Sequence, residues 1–138
     1  MIVVRFATFR YAPVFIMALC WLLGAPASAL GQTAAEIAAC ENARSTAAMR
    51  ECEIGRLQRA EAGMNAAYRN LSAKLDQPGR AKLHAAQEAW LKFRDAEAEY
   101  KADFARGGTL APLIAASAQA DLTDARRKDL EQATEERK

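Results

Sequence analysis

Beyond residue 45 the apolar side chains recur at intervals of three and four, the spacing that puts them on one face of an α-helix. From about Thr46 to Leu75 the stripe is Ile54, Leu57, Met64, Tyr68, Leu71 and Leu75, with Glu61 in the same line. From about Arg80 to Ala105 it is Leu83, Ala86, Trp90, Phe93, Tyr100 and Phe104, and Glu97 again takes a seam position. Asp76-Gln77-Pro78-Gly79 between them reads as a turn, so the two segments predict a long antiparallel helical hairpin. Gly107-Gly108 breaks the chain. Thr109 is then placed to cap another helix, with Pro112 in its first turn and Leu110, Ile114, Ala118, Leu122 and Ala125 along it. Upstream, the capping box Thr33-Ala34-Ala35-Glu36 opens a short first helix that ends near Asn42. Residues 131–138 are polar and are expected to fray. Gly55 and Gly63 each cost about 1 kcal/mol of helix propensity and mark a kink or a close approach between helices.

The first 29 residues follow a different pattern. Arg5 and Arg10 precede an almost wholly apolar run from Ala12 to Leu23, and Pro26-Ala27-Ser28-Ala29 supplies small residues at a cleavage site. This is the layout of an export signal, 1–29, preceding a single domain, 30–138. The apolar run falls short of the roughly 20 residues of a membrane span, so a retained anchor is the lesser alternative. Leu19 ahead of Cys20 argues against a lipid anchor, which wants a small residue there.

Removing the leader changes the composition. The whole chain has a formal charge of +2, but losing Arg5 and Arg10 takes Lys plus Arg from 19 to 17, against 17 acidic residues. The mature chain is therefore neutral. It has no Val, and 27 of its 109 residues are Ala. Ala is the best helix former and Val a strand former, so the domain is expected to be all-α, a small bundle of about four helices.

Cys40 and Cys52 remain, and in an exported chain they read as one disulfide. In one straight helix their Cα atoms would lie about 18 Å apart. A bridge needs roughly 4.4–6.8 Å, so either the pair is unbridged or the chain reverses between them. Asn42 to Thr46 is the expected corner, with Ser45 or Thr46 capping the next helix. Closing so short a loop is expected to contribute about 3 kcal/mol.

Little catalytic chemistry is on offer. His84 is the sole histidine, and no Cys lies at ligand spacing from it, so neither a metal nor a cofactor is expected. Glu61 and Glu97 are the only pair to weigh as glycosidase carboxylates, and an enzyme is not the preferred reading. Basic residues are interleaved with acids. The one run, Arg126-Arg127-Lys128, reads as a solvated helix end, and no nucleic-acid partner is implied.

The most distinctive segment is Gln87 to Asp95. Gln87, Trp90 and Arg94 share one helix face, as do Glu61, Asn65 and Tyr68 on the preceding helix. The two faces predict a polar cluster in which Arg94 pairs with Glu61 and Gln87 bonds to Asn65 or Tyr68. Fixing helix register is the preferred role for it over direct ligand contact.

These residues carry a family resemblance. Met64-Asn65-x-x-Tyr68, then Gln87-x-x-Trp90-Leu91-x-Phe93-Arg94-Asp95, then Leu122-Thr123-x-x-Arg126 resemble the motifs of the lysozyme-inhibitor LprI-like N-terminal family. Glu61 matches an acidic position of that family, and Cys40 and Cys52 match its first two cysteines. The resemblance covers about residues 40–130. Ala98 and Ala118 stand where family members commonly carry two further cysteines, and their joint loss implies that those two pair with each other.

The resemblance implies a small exported helical domain that binds and inhibits lysozyme, protecting peptidoglycan. The periplasm is the preferred location, with secretion the alternative, and no membrane association is expected after signal cleavage. The expected partner is lysozyme or another envelope protein; the oligomeric state is left open. The candidate contact is the loop Arg106, Gly107, Gly108 and Thr109, small enough to enter a cleft, while the preferred reading of its glycines is that they simply permit the turn. A non-inhibitory envelope domain that binds a protein or cell-wall glycan through Trp90 and its neighbours is the alternative.

Overall fold

A computed structural model describes residues 34–137, so the expected leader and the Thr33 cap lie outside the described residues. Four helices follow one another: α1 (Ala34–Glu41), α2 (Thr46–Ala73), α3 (Gln77–Ala102) and α4 (Ala111–Glu135). A 3-10 turn, Asp103–Ala105, prolongs α3. Among the described residues there is no strand.

The chain reverses at residues 42–45, which decides between the two alternatives left by the cysteine spacing. Ser45 is the N-cap of α2, its hydroxyl accepting from the Ala48 N–H at 3.2 Å. The reversal brings Cys40 and Cys52 to a Cα–Cα distance of 5.6 Å, and they form a disulfide. α1 buries none of its side chains. The disulfide is therefore its main tie to the bundle.

Two boundaries differ from expectation. Asp76-Gln77-Pro78-Gly79 is the first turn of α3 rather than a turn ahead of it. Asp76 caps the helix, accepting from the Gly79 N–H at 2.9 Å, and Pro78 occupies the first turn, where its missing N–H costs nothing. A Cβ on Gly79 would meet the Asp76 carboxylate at 2.9 Å, so glycine is required for this cap. Thr109 does not cap α4. Leu110 already has helical backbone angles and holds the N-cap position without a side-chain bond, which leaves Thr109 one residue too early. Gly107 takes φ +79°, the left-handed turn that ends the α3 segment. α4 continues through Glu135, with Leu130 buried and Ala133 packed on the core.

The α2–α3 hairpin is antiparallel, but α4 makes the closest packing. Arg56 of α2 bonds to Ser117 and Asp121 of α4, and Lys74 further along α2 reaches the Thr134 carbonyl. The two helices therefore run parallel. α3 runs opposite to both, as the bonds Gln119–Asp95 and Arg126–Gln87 show. Small residues permit the closeness: Ala60 and Ala67 of α2, and Ala116, Ala120 and Thr123 of α4, are buried. At Gly63 a Cβ would lie 2.7 Å from Arg127 Cδ. At the far end the larger residues Met64, Leu71 and Leu130 form the core, with Tyr68, Leu75, Leu83 and Trp90 against it.

The aromatic line of α3 is a correction. Phe93, Tyr100 and Phe104 are 53%, 75% and 82% exposed, and Ala86 also faces outward. α3 instead turns Leu83, Gln87, Trp90, Arg94, Ala98 and Ala102 inward. Alanines at 98 and 102 let it approach α4, where Tyr100 or Phe104 would hold the helices apart. Leu110 and Ala125 of the expected α4 stripe are likewise exposed.

Ionic clamps flank the small-residue seam. Burial lowers the pKa of Arg56, but hydrogen bonds to Asp121 and Glu53 outweigh it, and the net shift is upward. A base whose pKa is raised on folding adds stability below its unfolded pKa and loses it above the folded one. This clamp therefore persists until strongly alkaline pH.

Two outcomes follow from this packing. Ala120, 0% exposed, has no room for growth, and Ala120→Leu should cost about 1–3 kcal/mol in urea unfolding. Reducing the disulfide should release α1 alone: hydrogen exchange would show amides of residues 34–41 losing protection while α2 and α4 keep theirs. Loss of protection throughout α2 would contradict so local a role.

Candidate functional site

The motif residues converge where all three long helices meet. Arg94, only 8% exposed, is held by α3 between its neighbours. Its Nη1 donates to Glu61 Oε1 of α2 at 2.9 Å and its Nε to Asp95 Oδ1 at 2.9 Å. Asp95 Oδ1 also accepts from Gln119 Nε2 of α4 at 3.1 Å. One guanidinium thus anchors a chain of bonds crossing α2, α3 and α4. A planar fork of donors suits this bridging, which an ammonium could not reproduce.

Two turns toward the start of α3, a second bridge runs alongside. Gln87 Oε1 accepts from Arg126 Nε at 3.1 Å, and Gln87 Nε2 points to Met64 Sδ at 3.3 Å. The expected Gln87 bond to Asn65 or Tyr68 is not made. Asn65 faces solvent, and Tyr68 is half-buried with its ring on the core. Trp90 lies between the bridges, with the guanidiniums of Arg94 and Arg126 at 5.7 and 5.9 Å from its ring centroid.

The basic run Arg126-Arg127-Lys128 is also not simply a solvated end. Arg126 enters the cluster, and Arg127 lies over Gly63 and pairs with Glu131 at 2.9 Å. Arg126 and Thr123 belong to the Leu-Thr-x-x-Arg motif. Its three-residue spacing puts both on one face, and this was the signal available for placing Arg126 inside. Thr123 is fully buried, its hydroxyl donating to the Gln119 carbonyl at 2.7 Å. Gln119 had no sequence signal at all.

The two carboxylates weighed for glycan cleavage are both engaged by cations, Glu61 with Arg94 and Glu97 with Lys101 at 3.8 Å. His84 is exposed, 3.6 Å from Glu88. Among the described residues no group of three His, Cys, Asp or Glu side chains could hold a metal ion. Ala98 and Ala118 are both buried, on helices already joined by the Gln119–Asp95 bond.

Because α4 holds α2 and α3 together, a groove of about 400 Å³ remains between the latter two, lined by Glu61, Asn65, Tyr68, His84, Gln87, Glu88 and Leu91. The loop Arg106–Thr109 lies elsewhere, at the α3–α4 corner. All four of its residues are exposed, and no side chain stands within 4 Å of where a Gly107 Cβ would be. Arg106 bends back onto Asp103, its Nε donating at 2.8 Å. The structure thus separates a bonded motif cluster from an open loop.

Truncating the partner of Arg94 tests the cluster. Glu61→Ala should cost about 1–3 kcal/mol, because it leaves a largely buried guanidinium short of an acceptor. Arg94→Lys should fail to restore the α2–α3–α4 bridge, a result that thermal unfolding would read as a lowered midpoint.

No curated protein and no solved structure shows significant similarity to the chain. The model of the family described as lysozyme inhibitor LprI does match, over residues 37–130. That stretch takes in the disulfide, every motif residue of the cluster and the exposed loop, and the chain belongs to the LprI lysozyme-inhibitor family.

Proposed function

We propose that the protein is an exported, periplasmic lysozyme inhibitor, and that it binds through the loop Arg106–Thr109. The family match carries the first part of this reading. A leader of the export type and a disulfide, which persists in oxidising compartments, support the location. Among the described residues no helix is long and apolar enough to cross a membrane.

The contact surface rests on one observation: the cluster and the loop differ in what their groups are free to do. Arg94, Gln87 and Asp95 have their hydrogen bonds met inside the bundle. The loop, by contrast, is narrow, exposed and built on two glycines. Narrow, small-residue loops can reach into a concave site without steric cost. The Arg106 guanidinium, exchanging Asp103 for a carboxylate of the target, would supply the polar contact. A glycan- or protein-binding role through Trp90 has less support, since two guanidiniums and the core surround that ring.

Inhibition is read directly from cell-wall lysis by a c-type lysozyme, with and without the purified protein. Slowed lysis at micromolar protein is expected, whereas unchanged lysis would sink the inhibitor reading for that lysozyme class. Lysis by the protein alone would point to an enzyme instead. Arg106→Ala should weaken inhibition several-fold while shifting stability by less than about 0.5 kcal/mol.

A further inference from the structure

The outward face of α3 carries a second apolar seam that the bundle does not use. Ala86, Ala89, Phe93, Ala96 and Tyr100 recur at threes and fours, and Phe104 extends the line on the 3-10 turn. All six are exposed, Phe93 the least of the three rings at 53%. Three exposed aromatics in one line are more than the scattered apolar residues an ordinary surface shows. Spacing of this kind is what a helix presents to a partner helix.

We infer that this seam is a homodimer interface, in which α3 packs antiparallel on α3 of a second copy about a two-fold axis beside Arg94 and Asp95. The sequence is self-complementary under that reversal. Phe93 falls opposite the partner subunit's Ala96, Tyr100 opposite the partner subunit's Ala89, and Phe104 beside the partner subunit's Ala85 and the partner subunit's Ala86. Each large ring meets a small side chain, the alternation that lets two helices interdigitate. Tyr100 and Phe104 border a shallow hollow, with Lys101 and Asp103 at its rim, where the partner's alanine turn would sit.

Charge follows the same symmetry. Lys92 and Glu99 flank one side of the seam, both exposed, and among the described residues neither makes an ion pair. Reversal sets Lys92 beside the partner subunit's Glu99, and Glu99 beside the partner subunit's Lys92. A different partner would have no reason to match both the ring-to-alanine order and the charge order of this helix. Six aromatic rings of about 150–250 Å² each bring the apolar area to the order of 1,000 Å², close to what specific interfaces bury.

Sedimentation velocity of the purified protein across the micromolar range tests the dimer. A concentration-dependent monomer–dimer equilibrium is expected. Lys92→Glu and Glu99→Lys should each weaken it, on the order of tenfold, by setting like charges together. The double swap Lys92→Glu/Glu99→Lys should restore it. Tyr100→Ser/Phe104→Ser should give a monomer whose helical circular dichroism is unchanged, as both side chains are exposed. A monomer at every concentration would overturn the inference, as would a dimer indifferent to these substitutions or a double swap no stronger than the singles.

Discussion

The close parallel contact between α2 and α4 is the constraint on which the rest of the structure depends. Ala60, Gly63 and Ala67 on one helix, and Ala116, Ala120 and Thr123 on the other, leave no room for large side chains between them. Close contact gains dispersion energy and excludes water, but it buries little apolar area per residue. The bundle therefore has few large core residues, gathered at the Met64–Leu71–Leu130 end. Where the core thins, polar bridges take over: Arg56 on Ser117 and Asp121, and Arg94 on Glu61 and Asp95. Such bridges add direction to packing that alanines alone would leave free to slide.

This division explains why the motif residues lie where they do. Arg94, Gln87 and Arg126 sit where α3 closes over the α2–α4 pair, and each has its bonds met by another helix. A residue committed to that geometry has little freedom to serve a partner. In this chain, then, the motif residues mark the joint of a scaffold rather than a surface left free for a partner.

Much of the fold was legible in the sequence. The alanine content, the missing valines and the three-and-four spacing give four helices, and a bridge at the cysteine spacing demands the turn before α2. The register of α3 was not legible. Its aromatics outnumber its small residues in apolar weight, and a stripe read from side-chain size alone points toward Phe93, Tyr100 and Phe104. What decides the register is the approach distance to α4, which Ala98 and Ala102 allow and an aromatic forbids. The partner of α2 was hidden for a related reason: a short loop makes α3 the neighbour in sequence, whereas matching alanine faces make α4 the neighbour in space. Of the cluster, the Arg94–Glu61 bond was readable from helix faces. The role of Gln119 depended on α4 and was not, while for Arg126 the only signal was the spacing of the Leu-Thr-x-x-Arg motif.

The parallel arrangement of α2 and α4 also brings two helix beginnings to one end of the bundle. At the corner where Ser45 and Thr46 lie beside Thr109 and Pro112, the N-termini of α2 and α4 meet the ends of α1 and α3. Each N-terminus carries roughly half a positive charge, and neither α2 nor α4 places an acidic residue in its first turn to cancel it. The C-terminal ends of α1 and α3 lie at the same corner and oppose them, so the helix dipoles there largely cancel. The corner that carries the glycine loop is thus the end of the bundle where two helices expose their first backbone N–H groups, a local surface of donors rather than a long-range field.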